Sequence, residues 1–155
     1  MAPVLLPGRL VYADGKSGKG YLLQGDHLGG VGGQLQILAV CSAYGGAATS
    51  GNFAYIPCRD GIREIKLESG VSSPQVTVEW KASSQISGSP IIGGDTVYTL
   101  DTSGGVLYAL NAGTGAPRAA LHVGVTSRFA TPTLSESTLY VGTMTGIVAV
   151  SIHVN

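Results

Sequence analysis

Few of the 155 residues are of types that do chemistry, and their spacing narrows what they can do. There are two cysteines, Cys41 and Cys58. Two thiols cannot make a structural zinc site alone, and without CxxC spacing they do not read as a redox pair. They can close one disulfide over a loop of about 17 residues, which would call for an oxidising compartment. The alternative is two separate buried thiols in a reducing cell. His27, His122 and His153 form no HxH, HxxxH or HExxH pattern, so structural or solvent-exposed roles are expected rather than metal ligation. Asp14, Asp60 and Asp101 each lie beside a turn, where a carboxylate commonly accepts from turn amides. Turn capping is therefore expected in preference to a calcium ring.

Two arginines stand where a ligand could be met. Arg59 precedes Asp60 at the end of one apolar run, and Arg128-Phe129 precedes another. Arg59, Arg128 and Phe129 are candidate ligand-loop residues, against the plainer reading of surface salt bridges or loop anchors. Gly29-Gly30 and Gly32-Gly33 make a flexible loop, but no Lys-Ser pair and no helix follow to cradle a phosphate. Asp14-Gly15-Lys16-Ser17 resembles the end of a P-loop only superficially, because position 10 is Leu where the motif needs Gly. Ser42, Ser87 and Ser127 lie in no Gly-x-Ser-x-Gly elbow. No catalytic residue, cofactor site or metal set is legible.

The elements that carry these residues are strands. Charged residues are 12% of the chain and hydrophobic ones 44%, enough for a core. Nine basic residues balance nine acidic ones, which excludes the basic groove of a nucleic-acid binder and a polybasic membrane patch. No apolar run approaches a membrane span. Met1 to Pro7 is too short for a signal-peptide core and lacks a basic start, which leaves location open. Glycine, 24 residues, is about twice as frequent as usual. With Val, Ile, Thr and Tyr it points to short strands joined by tight turns.

A repeat organises the chain. Tyr12, Tyr55, Tyr98 and Tyr140 are separated by 43, 43 and 42 residues. A turn with glycine follows each, then a short apolar segment such as Ile62 to Leu67 or Val106 to Leu110. The third unit reads most plainly: strands over Pro90 to Gly93, Thr96 to Asp101, Gly105 to Leu110 and Pro117 to Val123. In the second, Val76 to Lys81 is the fourth strand and contains Trp80. Four strands per unit at this period are the mark of propeller blades. The expected fold is all-β, one propeller segment over residues 1–155. Its blades fall near 3–41, 45–82, 87–124 and 128–152, the last lacking its outer strand. Because stacked blades cover both faces of the inner strands, Phe53 to Ile56 and Val106 to Leu110 are apolar throughout. Strands one and two of a blade run antiparallel, which brings Cys41 and Cys58 within reach of each other.

The stretch Ser87-Gly88-Ser89-Pro90-Ile91-Ile92, then Thr96-Val97-Tyr98, then Gly105 to Gly115, resembles the repeat of pyrroloquinoline-quinone (PQQ)-like propellers. Arg128 to Pro132 through Ile147 to Val150 is similar. That family includes quinoprotein alcohol and glucose dehydrogenases. It also has cofactor-free members, a lipoprotein subunit of the outer-membrane barrel assembly machinery among them. The resemblance implies seven or eight blades in a whole ring and a tryptophan that docks each blade on the next. Trp80 stands at that position, and Leu121 replaces it in the third unit. It also implies a bacterial, extracytoplasmic setting: periplasmic, secreted or membrane-anchored, and envelope-associated. The family's quinone stacks on a tryptophan beside calcium and a catalytic aspartate. Trp80, the one tryptophan, sits instead at the docking position, and no catalytic residue carries over.

The expected function is a non-catalytic binding or scaffold module without cofactor, its protein or small-molecule ligand met by loops at one end of the ring. The alternative is a fragment of a PQQ-dependent dehydrogenase whose active site lies in missing blades. At about 42 residues per unit the chain holds about 3.7 blades, fewer than a ring of that family. It is expected to be half of a longer propeller, one of two copies completing a ring, or an open module with covered ends.

Overall fold

The computed structural model describes residues 1–68 and 73–152, and among them there is no helix. The described residues form fifteen strands in four antiparallel sheets, each built in sequence order. The first contains β1 (Val4–Leu6), β2 (Leu10–Asp14), β3 (Lys19–Gln24) and β4 (Gln36–Ala39). The second contains β5 (Ala48–Ser50), β6 (Phe53–Ile56), β7 (Arg63–Glu68) and β8 (Gln75–Lys81). The third contains β9 (Ile91–Gly93), β10 (Thr96–Asp101), β11 (Val106–Asn111) and β12 (Pro117–His122). The fourth has three strands: β13 (Thr133–Ser135), β14 (Thr138–Thr143) and β15 (Gly146–Ser151). The four repeat tyrosines fall on the second strands β2, β6, β10 and β14, as their spacing predicts.

The sheets stack as blades. The innermost strands β1, β5, β9 and β13 contact one another in succession. Three apolar clusters lie between successive blades. Leu6, Tyr12 and Leu22 meet Ile56, Ile65 and Val76. Tyr55 and Ile62 meet Val97 and Leu110. Leu100 and Leu107 meet Leu139 and Val141. Burial follows position in the stack. In β10 five consecutive residues are buried because a blade covers each face. In β2 and β14 burial alternates, because each has a neighbour on one side only. The outer faces of the first and last blades stay open, with Leu5 75% and Ile147 78% exposed.

Trp80 makes the joint between the second and third blades. Its Nε1–H donates to the Ala112 carbonyl at 2.8 Å. The ring lies on Gly115, where a Cβ would run into it, and Gly115 has φ +69°. Glycine is required there by conformation and by space. Asn111 builds this turn: its carbonyl accepts from Gly115 N at 2.8 Å and its Oδ1 from Gly113 N at 3.0 Å. Leu121, paired with Leu107, holds the corresponding place in the third blade. Leu121 lines a cleft of about 840 Å³ between the third and fourth blades.

Candidate functional site

In a sheet ordered one to four, the start of strand one, the end of two, the start of three and the end of four share one end. The connectors between blades therefore meet the hairpins between second and third strands at that end, beside the innermost strands. Tyr44 comes from the β4–β5 connector, Arg59 from the β6–β7 hairpin, and Thr126, Arg128 and Phe129 from the β12–β13 connector. All five line one cavity of about 450 Å³, together with Ser87, Ser89, Thr102 and Ser103 of the third blade. Arg59, Arg128 and Phe129, the candidate ligand-loop residues of the sequence, are thus placed on one cavity. Next to it lies a second cavity of about 430 Å³, which shares Tyr44, Arg128 and Phe129 and adds Lys16 from the β2–β3 turn.

The framework under this mouth is cross-linked. Cys41 and Cys58 are disulfide-bonded, their Cα atoms 5.7 Å apart. The bond ties the β4–β5 connector to the β6–β7 hairpin, and backbone pairing reinforces it. Ala43 bridges Cys58, Tyr44 N donates to the Pro57 carbonyl at 3.1 Å, and Arg59 N donates to Ser42 at 2.9 Å. Tyr44 therefore sits within the covalently closed loop, and Arg59 directly follows its Cys58 end. Connectors of neighbouring blades are also joined, since Gly46 N donates to Ser89 Oγ at 3.2 Å. Gly88 N donates to the Leu100 carbonyl at 2.9 Å. A Cβ on Gly88 would come within 2.6 Å of that oxygen, so the close approach needs glycine.

The mouth is cationic and partly aromatic. Lys16 Nζ and Arg128 Cζ lie 5.6 and 5.5 Å from the Tyr44 ring centroid, and Arg128 lies 5.9 Å from that of Phe129. Such contacts are worth about 0.5–1 kcal/mol at exposed sites. The aspartates at this end are otherwise engaged. Asp60 binds Arg63 at 2.7 Å and Lys81 at 2.8 Å. Hydrogen bonds from Arg63 and then Lys81 hold its carboxyl well below the usual carboxylate range. Asp101 Oδ1 accepts from the Ser103 and Gly104 amides at 2.9 and 2.8 Å. Asp14 accepts from Gly15 N at 2.6 Å and from the Tyr12 hydroxyl at 3.2 Å. Burial is the main cause that raises the Asp14 pKa. One polar atom at the mouth is left over. Thr126 Oγ1 is buried without a hydrogen-bond partner among the described residues, a state that typically costs about 1–3 kcal/mol.

One sequence reading is corrected in detail. Asp14 and Asp101 end strands β2 and β10 and cap their turns, whereas Asp60 lies within its turn and serves as an ion-pair hub. The three aspartates are therefore not equivalent, because the β6–β7 hairpin is longer than the other two. No group of three metal-capable side chains occurs among the described residues. His27 lies in an exposed loop and His122 at the exposed end of β12, while His153 is outside the described residues. Tyr44, Thr126, Ser89 and Lys16 were not singled out as site residues. Tyr44, Ser87 and Phe129 fall 43 and 42 residues apart, the interval of the repeat tyrosines. The connector column of the repeat was thus the signal that would have found the mouth.

No family model and no curated protein matches the chain. Solved structures do. BamB from Moraxella catarrhalis is 21% identical with a TM-score of 0.60, over 97% of this chain and 47% of that one. The β-propeller domain of Myceliophteria thermophila Cps50 (Swd1) is 16% identical with a TM-score of 0.75, over 99% and 51%. Kuenenia stuttgartiensis hydrazine synthase is 13% identical with a TM-score of 0.65, over 96% and 45%. The chain spans about half the length of these structures. At such identities the likeness shows the fold, an all-β partial propeller.

Proposed function

We propose that the chain is a non-catalytic binding and scaffold module, one segment of a propeller built from PQQ-like repeats, and that it recognises its ligand at the axial mouth. The observation that carries this reading is the convergence of Tyr44 from the connector into the second blade, Arg59 from the second blade, and Arg128 and Phe129 from the connector into the fourth on one cavity of about 450 Å³. A cavity of that size suits a small molecule or the side chains of a bound peptide. The Cys41–Cys58 disulfide supports an extracytoplasmic setting, and the resemblance to PQQ-like repeats is the ground for taking it as a bacterial envelope. The open faces of the first and last blades favour completion of a ring, by a second copy or by further blades of a longer chain.

PQQ with calcium does not fit the described residues. The indole of Trp80 is held in the blade joint by Ala112 and Gly115 and offers no platform for a quinone. No trio of His, Cys, Asp or Glu side chains is placed to hold the ion. As a dehydrogenase fragment the chain would have its site in other blades.

The test is a titration of the ¹⁵N-labelled chain with a fragment panel, with PQQ plus calcium as a separate arm. The expected result is shifts confined to amides around 44, 59, 87–89, 102–103 and 126–129, and no visible quinone absorbance retained after desalting. Shifts clustered elsewhere, or retained PQQ, would overturn the reading.

A further inference from the structure

We infer that the axial mouth is a two-pocket anion site, which takes a ligand carrying two carboxylates set on either side of the Arg128 side chain. This rests on the mouth being the binding surface and names the chemistry of what it binds.

The distribution of cations carries the inference. Of nine lysines and arginines, Arg9, Arg63, Lys66, Lys81 and Arg118 each contact a carboxylate. Among the described residues the other four, Lys16, Lys19, Arg59 and Arg128, make no ion pair. Three of those four line the two cavities. A chain of zero net charge thus spends most of its unpaired positive charge on one spot. Lys16 and Arg128 share the Tyr44 ring at 5.6 and 5.5 Å, so two like charges are gathered with no acid between them. An anion relieves that repulsion.

The geometry sets how many anions there are. The cavities of about 450 and 430 Å³ have a common wall of Tyr44, Arg128 and Phe129. Arg128 faces both, Arg59 serves only the first and Lys16 only the second. Each pocket thereby has one cationic side chain of its own and a share in another, and Met1 also lines the second. A monoanion in each suits the side chains, and a phosphate dianion in the first pocket would exceed their charge. Thr126 also lines the first pocket, its hydroxyl buried and without a partner among the described residues.

The carboxylates can belong to a free dicarboxylic acid or to two acidic side chains of a peptide, and the test separates these. The full chain is titrated with acetate, glutarate, glutaramide, inorganic phosphate and a capped tripeptide with glutamate at both ends, followed by ¹⁵N–¹H spectra. Glutarate or the tripeptide is expected to bind at least about tenfold more tightly than acetate, as two linked contacts should. Whichever binds more tightly identifies the source. Arg128→Gln should weaken all carboxylates. Lys16→Gln should remove the advantage of two carboxylates over one and leave acetate within about threefold, the loss of one of two linked contacts. Both side chains are exposed, and unchanged spectra away from the mouth confirm an intact fold. Glutaramide binding as well as glutarate at the same amides would overturn the anion site while leaving the mouth as a binding surface. Equal affinity for acetate and glutarate, or tighter binding of phosphate, would overturn the two-carboxylate geometry. No response at the mouth to any probe would overturn both readings.

Discussion

The joint between the second and third blades can be dissected by a mutant cycle at Trp80 and Gly115. Trp80→Leu removes the 2.8 Å bond to the Ala112 carbonyl, worth about 1 kcal/mol. It also removes part of a large aromatic contact that leucine keeps in part, for a total of about 2–3 kcal/mol. Gly115→Ala has two separate costs. A left-handed backbone, φ +69° here, penalises a β-carbon by about 1–2 kcal/mol. That carbon would also run into the Trp80 ring, and overpacking adds about 1–3 kcal/mol. In the Trp80→Leu background the collision is gone and only the backbone cost stays. Gly115→Ala should therefore cost about 2–5 kcal/mol alone and about 1–2 kcal/mol beside the leucine, a coupling of about 1–3 kcal/mol. Urea unfolding followed by far-ultraviolet circular dichroism measures all four proteins, since two of them lack the only tryptophan. Equal costs for Gly115→Ala in both backgrounds would refute the joint as the point where these blades are locked.

Three further outcomes are expected. The double variant Cys41→Ser/Cys58→Ser should lose about 3 kcal/mol in a urea titration, the loop-closure value for a separation of 17 residues; a wild-type midpoint unmoved by reductant would count against the cross-link. Glu64 is 3% exposed, and burial raises its pKa despite a hydrogen bond from Tyr55. The folded chain then keeps a proton that the unfolded chain releases near pH 4.3, at about the usual glutamate value, so stability is lost as pH rises through the interval above it. Glu64→Gln should flatten that loss, and identical pH slopes of melting temperature for variant and wild type would contradict the assignment. If two copies close a ring through their open blade faces, sedimentation should give twice the chain mass, and Ile147→Lys, at a residue 78% exposed, should halve it; a wild-type monomer at all concentrations would exclude the paired ring.

The blades were legible in the sequence because every blade solves the same packing problem. A tyrosine on the second strand, a glycine turn and an apolar third strand recur at a fixed interval, since each must fit between like neighbours. The strand spans Thr96–Asp101 and Pro117–His122 follow almost directly from residue type, glycine placement and the resemblance. What the repeat hid was the difference between inner and outer blades. Tyr55 and Tyr140 occupy the same column, yet one is 2% exposed and the other 43%, because coverage depends on what stands beyond and not on the residue. The aspartates misled for a related reason: a few extra hairpin residues moved Asp60 out of the capping position and into reach of Arg63 and Lys81.

The mouth was less legible because connectors answer to no shared packing demand. Tyr44, Ser87 and Phe129 occupy one column, and two aromatic rings with a serine between them make no recurring motif. Their meaning comes only from juxtaposition, when residues some 40 positions or more apart in sequence are set side by side by blades that are themselves nearly alike. Stacking supplies a rigid rim and leaves its loops free to differ. The disulfide linking Cys41 and Cys58 is buried in the apolar cluster between the first and second blades, at the end of that joint from which Tyr44 and Arg59 reach the mouth. Its position at the rim is what a preformed recognition surface requires, because loop order fixed before binding is not charged against affinity.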